Sequence, residues 1–258
     1  MPAWTHGKMI PEWKIRSSLS LSPGAIDMVK LLALISMIID HVNTVLMPVP
    51  RPELYALGRA AFPLFTVIWA MHVTHAPQRL QHRANRLWVW ALATQPVFTL
   101  TFQGHVPWYA LNILFVFASA TQLLAWHYRA GQRGIFTGIG LMCLLAWPLM
   151  PASYGIPGLV LALSLAVWLS DFSTSPGIGL SYLSLLALLL LNGASHLLDN
   201  TLSALIYAIL PTLFFPLGAI RLAVSVCPTG TPRFMPGRFF YLAYVGHLAL
   251  LLLIHTVI

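Results

Sequence analysis

Charged residues are scarce in this sequence. Only 8% of the 258 residues are Asp, Glu, Lys or Arg, whereas 58% are hydrophobic, and a single soluble core cannot bury that many apolar side chains. The sequence also contains no glycine-rich phosphate loop, no nucleophile elbow and no helical zinc-binding histidine motif, which excludes the common classes of soluble enzyme. The composition therefore indicates a polytopic membrane protein.

Cysteine is equally sparse, and we expect no signal peptide at the N-terminus. Cys143 lies in an apolar run and Cys227 near the end of another, and neither has a second cysteine at metal-binding spacing. We therefore expect neither a disulfide nor a zinc site. Residues 1–23 are mixed and polar, without the apolar centre of a signal peptide. We expect them to form a cytoplasmic N-terminal segment, after which the first membrane span is retained in the mature protein.

Long apolar runs make up most of the chain. A helix of about 20 apolar residues crosses a bilayer, and most of these runs approach that length. The sequence shows no internal repeat and no soluble domain, so we predict one membrane-embedded domain over residues 1–258, with an all-α fold of about nine transmembrane helices. The predicted spans are residues 24–47, 54–73, 87–102, 109–127, 135–150, 156–169, 178–191, 202–224 and 239–258.

Basic residues set the predicted orientation, because Lys and Arg concentrate in cytoplasmic loops. With the N-terminus in the cytoplasm, the basic linker over residues 79–86 and the basic turn over residues 129–133 both face that side, and only Arg51 lies in an outer loop. This orientation explains the net charge of +8. We therefore expect membrane lipids, and not nucleic acid, as partners.

The first predicted span, residues 24–47, contains four ionisable residues: Asp27, Lys30, Asp40 and His41. Each costs on the order of 2.5 kcal/mol or more inside a bilayer, so their presence needs a reason. At about 100° per residue, Asp27, Lys30 and His41 share one helix face, with roughly 16 Å of rise between Lys30 and His41. We predict that Asp27 and Lys30 bind substrate; the alternative is a structural role at the helix start, through the helix dipole and through snorkelling.

His41 is the predicted catalytic residue, because an imidazole takes up and releases a proton near neutral pH. Asp40 is the predicted carboxylate that orients and stabilises this imidazole. Adjacent residues lie about 100° apart on a helix, however, so another residue can hold that role. We expect Arg59, in the second span, to neutralise Asp40 or to bind an anionic donor; the alternative is a cation that reaches outward to the headgroups.

Other polar residues lie in apolar surroundings. Asn112, Tyr154 and His247 are predicted to line a substrate site, although interhelical hydrogen bonding is the commoner role of such groups. Arg83 and Arg86, in the basic linker, are predicted to attract the phosphates of a donor. Two other histidines, at the end of the second span, have no third metal ligand near them, so we expect no metal.

Six segments of this chain resemble a known family, the TraX family of conjugative pilin-modifying membrane proteins, which includes the TrbP-type members. The segments are PGAIDMVKLLALISMIIDH, GRAAFPLF, RLWVWALATQ, NILF, SYGIPGL and PRFMPGRFFYLAYVGHL. They run from about residue 22 to the end and follow the family order. The family is similar in turn to the wider transmembrane acyltransferases, whose first span carries a basic residue and, after ten others, a histidine; these are Lys30 and His41 here.

The resemblance implies a plasmid-conjugation enzyme of the bacterial inner membrane that acts in pilus biogenesis. Its expected partner is the conjugative pilin subunit, and the expected reaction is N-acetylation with acetyl-CoA as the donor substrate. The domain would then be a transferase domain, with His41 and Asp40 as its general-base pair.

Three other functions stay open at the level of sequence. Acetyl-CoA is cytoplasmic, whereas the predicted orientation places His41 in the outer half of the membrane, so a phospholipid can instead be the donor of a headgroup such as glycerophosphate. A proton-coupled transporter also keeps His and Asp in its spans, but the matched broken helices of such transporters are not evident. A non-catalytic assembly factor for the pilus has no need of Asp40 and His41.

Overall fold

The computed structural model describes residues 21–152, 154–170, 177–192 and 200–257, and over these ranges the fold is all-α, as predicted. The helices are α1 (Pro23–Val45), α2 (Pro52–Gly58), α3 (Ala61–His75), α4 (Leu80–Thr101), α5 (Leu114–Ala130), α6 (Gln132–Leu149), α7 (Gly155–Leu169), α8 (Gly177–Asn192), α9 (Thr201–Ala204), α10 (Leu210–Val226) and α11 (Phe239–Val257). A 3₁₀ turn precedes α4, and a π-helical turn joins α9 to α10.

A helix, or a pair of consecutive helices, lies at each predicted position, but the number of membrane spans is not confirmed. In the described part of the chain, three segments are long and apolar enough to cross a bilayer: Pro52–His75, Thr201–Val226 and Phe239–Val257. The prediction of nine spans is therefore supported for three. The first predicted span, which forms α1, is not among these three segments. An apolar run can form a helix too short to cross: α7 has 15 residues and α8 has 16, fewer than the roughly 20 that a bilayer requires.

The three apolar segments indicate a membrane protein. The single domain over residues 1–258 stays a prediction. So does the cytoplasmic segment over residues 1–23, most of which lies outside the described residues.

Helix α1 packs against α2, α3, α10 and α11. Pro23 occupies its first turn, and the hydroxyl oxygen of Ser22 accepts a hydrogen bond from the backbone N–H of Ala25, which caps the helix. Val29 and Ala33 are fully buried in an apolar cluster with residues of α3 and α10. The small side chains on this face let α1 approach its neighbours closely.

The loop between α10 and α11 is fastened to the first turn of α1. The carboxylate of Asp27 accepts hydrogen bonds from the backbone N–H groups of Phe234 and Met235, at 3.2 and 3.1 Å. The N–H of Gly24 donates to the carbonyl of Thr231 at 3.0 Å. A Cβ on Gly24 would come within 2.5 Å of the Thr231 side chain, so a larger residue at this position would push the loop away from α1.

Helices α3 to α8 form the remaining body of the bundle. Helix α5 packs against α4 and α6, and every residue from Phe115 to Ala125 is buried. Helix α7 packs against α3 and α8. Helix α11 packs against both α1 and α4 and so brings the last helix of the chain against the first.

Reporter fusions should place residues 79–86 and 129–133 in the cytoplasm and residues 48–52 outside, because Lys and Arg favour the cytoplasmic side. Paired alkaline phosphatase and fluorescent-protein fusions after Arg86, Arg133 and Pro50 measure the side directly. A cytoplasmic signal at Pro50 together with an outer signal at Arg86 would reverse the predicted orientation.

Candidate functional site

Two histidines from distant parts of the sequence meet in the bundle. Nδ1 of His41, on α1, lies 2.8 Å from Nε2 of His247, on α11. The two ring planes differ by 17°, and the ring of Phe102 packs edge-on against His41 with 5.0 Å between centroids. His247 is buried and His41 is partly buried. We refer to His41 and His247 as the histidine pair.

Asp40 forms an ion pair with Arg59 and not with His41. Nη2 of Arg59 donates to Oδ1 of Asp40 at 2.6 Å, and Nε of Arg59 donates to the carbonyl of Tyr55 at 3.2 Å. The guanidinium also lies 3.9 Å from the centroid of the Tyr55 ring. The expectation that Arg59 neutralises Asp40 is confirmed. The prediction that Asp40 orients His41 is wrong, because neighbouring positions on α1 face different helices and each side chain finds its own partner.

A cavity of about 600 Å³ opens at the end of the bundle that carries the basic linker. Its described lining combines cationic and aromatic side chains without a carboxylate, and we refer to it as the basic cavity. The cations of the lining are Lys30, Arg79, Arg83, Arg86 and Arg233. The aromatic residues are Phe65, Trp69, Phe117, Phe240, Tyr241 and Tyr244.

The basic cavity extends toward the histidine pair. Met37 and Tyr244 belong to its lining. Met37 precedes His41 by four residues on α1, and Tyr244 precedes His247 by three on α11, which corresponds to about 6 and 4.5 Å along the helix axes. Lys30 lies seven residues before Met37. The cavity thus follows the α1 face that the sequence predicts and comes within about one helical turn of the pair.

Asp27 lies at the mouth of the basic cavity, by which we mean the end that carries the cations of the lining. Its Oδ1 lies 3.5 Å from Nζ of Lys30 and 3.9 Å from Nε of Arg233, while its Oδ2 holds the α10–α11 loop. Asp27 is buried, and its oxygens are engaged by protein groups. Its position favours the structural role over the predicted substrate contact. Lys30 belongs to the cavity lining, and its role in substrate binding stays a prediction.

Arg83 and Arg86 both line the basic cavity, at the start of α4. Arg83 donates a hydrogen bond to the backbone carbonyl of His72, which ties α4 to α3. The guanidinium of Arg86 lies 5.7 Å from the centroid of the Tyr241 ring. Tyr241 in turn stacks on Trp90 with 5.2 Å between centroids. The cavity mouth therefore presents exposed positive charge beside a stacked aromatic surface.

Comparison with known proteins identifies the family. The family model described as TraX protein matches residues 25–255. The chain belongs to the TraX family. A protein TraX of Escherichia coli is 34% identical over 241 residues, which cover 92% of this chain and 90% of the relative. A protein TraX of Escherichia coli strain K12 is 35% identical over 241 residues, with the same shares of 92% and 90%. No solved structure matches the chain.

Asn112 of this TraX family member is engaged by the protein itself. Its side-chain amide donates to the carbonyl of Ala91 and to Oε1 of Gln95, both at 2.9 Å. Its Oδ1 accepts from the N–H of Leu114 at 3.0 Å, and the residue is fully buried. These contacts join α4 to the start of α5, so the geometry favours the interhelical alternative over the predicted substrate contact.

Tyr154 lies beside the Asp40–Arg59 ion pair. It has a left-handed backbone with φ of 65° immediately before α7. Its ring centroid is 4.7 Å from that of Phe62 and 5.9 Å from the guanidinium carbon of Arg59. Tyr154 therefore packs over the ion pair and not in the described lining of the basic cavity.

The aromatic wall of the cavity and Arg233 were missed by reasoning from the sequence. A signal was present on α11, because Tyr241, Tyr244 and His247 recur every three residues and so share one helix face. No comparable signal marks Arg233. It reaches the mouth only because the α10–α11 loop folds back onto Asp27.

Proposed function

We propose that this TraX family member is an integral inner-membrane acetyltransferase. It moves the acetyl group of acetyl-CoA to an amino group of the conjugative pilin subunit, with His41 as the general base. The observation that carries this proposal is the basic cavity, which leads from a cationic mouth to within about one turn of the histidine pair.

The basic cavity suits a donor with phosphates at one end and a thioester at the other. The arginines and Lys30 at the mouth can hold phosphates through charge-assisted hydrogen bonds. The ring of Tyr241, which belongs to the cavity lining, offers a surface for a flat base. The volume of about 600 Å³ lies within the range of roughly 300 to 1,000 Å³ that small-molecule sites occupy.

The basic cavity also offers a route between cytoplasmic acetyl-CoA and His41, which the predicted orientation places in the outer half of the membrane. In the predicted orientation the mouth faces the cytoplasm, where acetyl-CoA occurs, and the far end lies near His41. The donor would then reach the pair from the cytoplasm through the protein, with no need to cross the bilayer.

His41 would act on the proton of the acceptor amine. As the amine nitrogen forms its bond to the acetyl carbon, His41 takes one N–H proton. The carbon–sulfur bond then breaks, and His41 returns the proton to the leaving thiolate. The products are an N-acetyl amide and free CoA thiol, so atoms and charge balance. The Asp40–Arg59 pair is neutral as a unit and would support α1 and α2 beside the site without joining this proton transfer.

A phospholipid donor is the second candidate, and the same cations support it. A lipid phosphate can bind the guanidinium groups at the mouth as well as a nucleotide phosphate can. Glycerophosphate would then be the group moved onto the pilin. The resemblance to the wider transmembrane acyltransferases favours the acetyl donor.

Intact-mass measurement of the pilin tests the proposal. The purified protein in lipid nanodiscs is incubated with synthetic pilin subunit, with and without acetyl-CoA. We expect a gain of about 42 Da, one acetyl group, that requires acetyl-CoA. A phosphorus-containing gain without acetyl-CoA would replace acetyl transfer by the lipid-derived reaction. Unchanged pilin mass under both conditions would overturn both and favour the assembly-factor and transporter functions.

Changing Arg79 and Arg86 together to Gln should raise the KM for acetyl-CoA by about tenfold at low ionic strength, and by less at high salt, because two cations leave the mouth. The matched control changes Arg129 and Arg133 to Gln, which removes two exposed cations, one from the last turn of α5 and one from the first turn of α6. Steady-state kinetics in nanodiscs measure both variants. An equal rise in KM in both would show that overall charge, and not the mouth, governs donor binding.

A further inference from the structure

We infer that His247 is a positioning residue that fixes the tautomer of His41, so that the free basic nitrogen of His41 is Nε2. This inference rests on the proposed role of His41 as a base, but it does not depend on which donor is used. In this inference His247, and not the predicted Asp40, orients the imidazole of His41.

The first step concerns His247 itself. Its Nδ1 lies 3.0 Å from the backbone carbonyl oxygen of Ala243, one turn earlier on α11. A carbonyl oxygen only accepts hydrogen bonds, so Nδ1 of His247 must carry the hydrogen. A neutral imidazole has one N–H, and Nε2 of His247 is therefore left with a lone pair.

The second step passes this assignment to His41. Nδ1 of His41 lies 2.8 Å from Nε2 of His247. A hydrogen bond between them needs one hydrogen, and His247 offers only the lone pair there, so Nδ1 of His41 carries the hydrogen and donates it. Neutral His41 then holds its own lone pair on Nε2. In the described part of the chain, no residue makes a hydrogen bond to that nitrogen.

The surroundings hold both rings in this arrangement. The planes differ by only 17°, which suits donation from one ring edge to the other, and Phe102 packs edge-on against His41 at 5.0 Å. Asp40, the nearest carboxylate in sequence, is bound to Arg59 at 2.6 Å. A neutral histidine therefore fixes the tautomer of His41, which is one of the two roles that a carboxylate has in many hydrolases, without placing another charge inside the helix bundle.

Nitrogen-15 spectroscopy tests the tautomer directly. The protein is labelled with ¹⁵N-histidine in nanodiscs, and the spectrum of the His41→Asn variant is subtracted to isolate the His41 signals. We expect a protonated Nδ1 and an unprotonated Nε2 at neutral pH. A protonated Nε2 with an unprotonated Nδ1 would overturn the inference. This measurement needs no activity, so it decides the tautomer even if the proposed function fails.

Kinetics of two His247 variants give the second test. His247→Gln keeps an oxygen near the position of Nε2 that can accept from His41, whereas His247→Leu keeps volume but offers no acceptor. We expect Leu to lower kcat about 10- to 100-fold and Gln to stay within about threefold of the wild type, with an unchanged KM for the donor. Equal activity of the Leu and Gln variants, with an inactive His41→Asn variant, would overturn the inference and leave the proposed function standing.

The matched control is His255→Leu, which replaces an exposed histidine on the same helix. Its kcat should equal that of the wild type. Loss of activity in this control would assign the effect of His247→Leu to disturbance of α11 and not to the hydrogen bond.

Discussion

The His41→Asn variant should lose pilin modification, with a rate at least about 100-fold below the wild type, while inserting into the membrane at normal abundance. Asn keeps the capacity for hydrogen bonding with His247, because its amide can donate where Nδ1 donates. It has no basic nitrogen in the position of Nε2, however, and a general base contributes a factor of about 100 or more. Intact pilin mass and membrane abundance are measured in the same cells.

His75→Asn is the matched control for His41→Asn. His75 lies near the end of α3, where its Nδ1 is 2.6 Å from the carbonyl of Met71, and it is not part of the described cavity lining. This variant should modify pilin normally. Normal modification by His41→Asn at normal abundance would remove His41 from the mechanism and leave His247 as the remaining imidazole of the pair.

The Asp40→Asn variant should be destabilised by about 3 to 5 kcal/mol, because it leaves the buried guanidinium of Arg59 without its counter-ion. The side chain of Arg59 is only 7% exposed and that of Asp40 is 22% exposed, so water cannot fully replace the lost carboxylate. Thermal unfolding in detergent measures the change. Any loss of pilin modification should follow the loss of folded protein.

The double variant Asp40→Asn with Arg59→Met separates pairing from chemistry. It removes both charges, so it should be more stable than Asp40→Asn alone. A normally stable Asp40→Asn protein without activity would instead give Asp40 a direct part in the reaction.

The Gly58→Ala variant tests the Asp40–Arg59 ion pair independently. A Cβ at this position would lie 2.4 Å from Oδ1 of Asp40, so Gly58→Ala must displace the carboxylate while both charges remain. It should lower the unfolding temperature in the same direction as Asp40→Asn.

The helices of the bundle and one face of the site can be predicted from the sequence, because both depend on local periodicity. The apolar runs predict where each helix lies, and the spacing of Lys30 and His41 predicts the α1 face along which the cavity extends. The number of membrane spans depends on length and on the surroundings of each helix, which an apolar run alone does not settle.

The partners of the polar residues cannot be predicted in this way. Asp40 and His41 are adjacent in the sequence. Asp40 pairs with Arg59, which follows the end of α2, whereas His41 contacts α11. The choice depends on how α1 packs, not on spacing. The partners of Asn112 cannot be predicted either. An Asn in an apolar run gives the same sequence pattern whether its side chain binds a ligand or a neighbouring helix.

The histidine pair joins residues that are 206 positions apart in the chain. At about 5 to 20 residues per second, a ribosome needs roughly 10 to 40 s to add that length. During this interval His41 has already been synthesised, but the helix that carries its partner does not yet exist, and the same is true of Asp27 and the loop that it holds. Under the proposed function, the tautomer of His41 is therefore fixed only when the last helix packs against the first, so a nascent chain contains the proposed base without the residue that orients it.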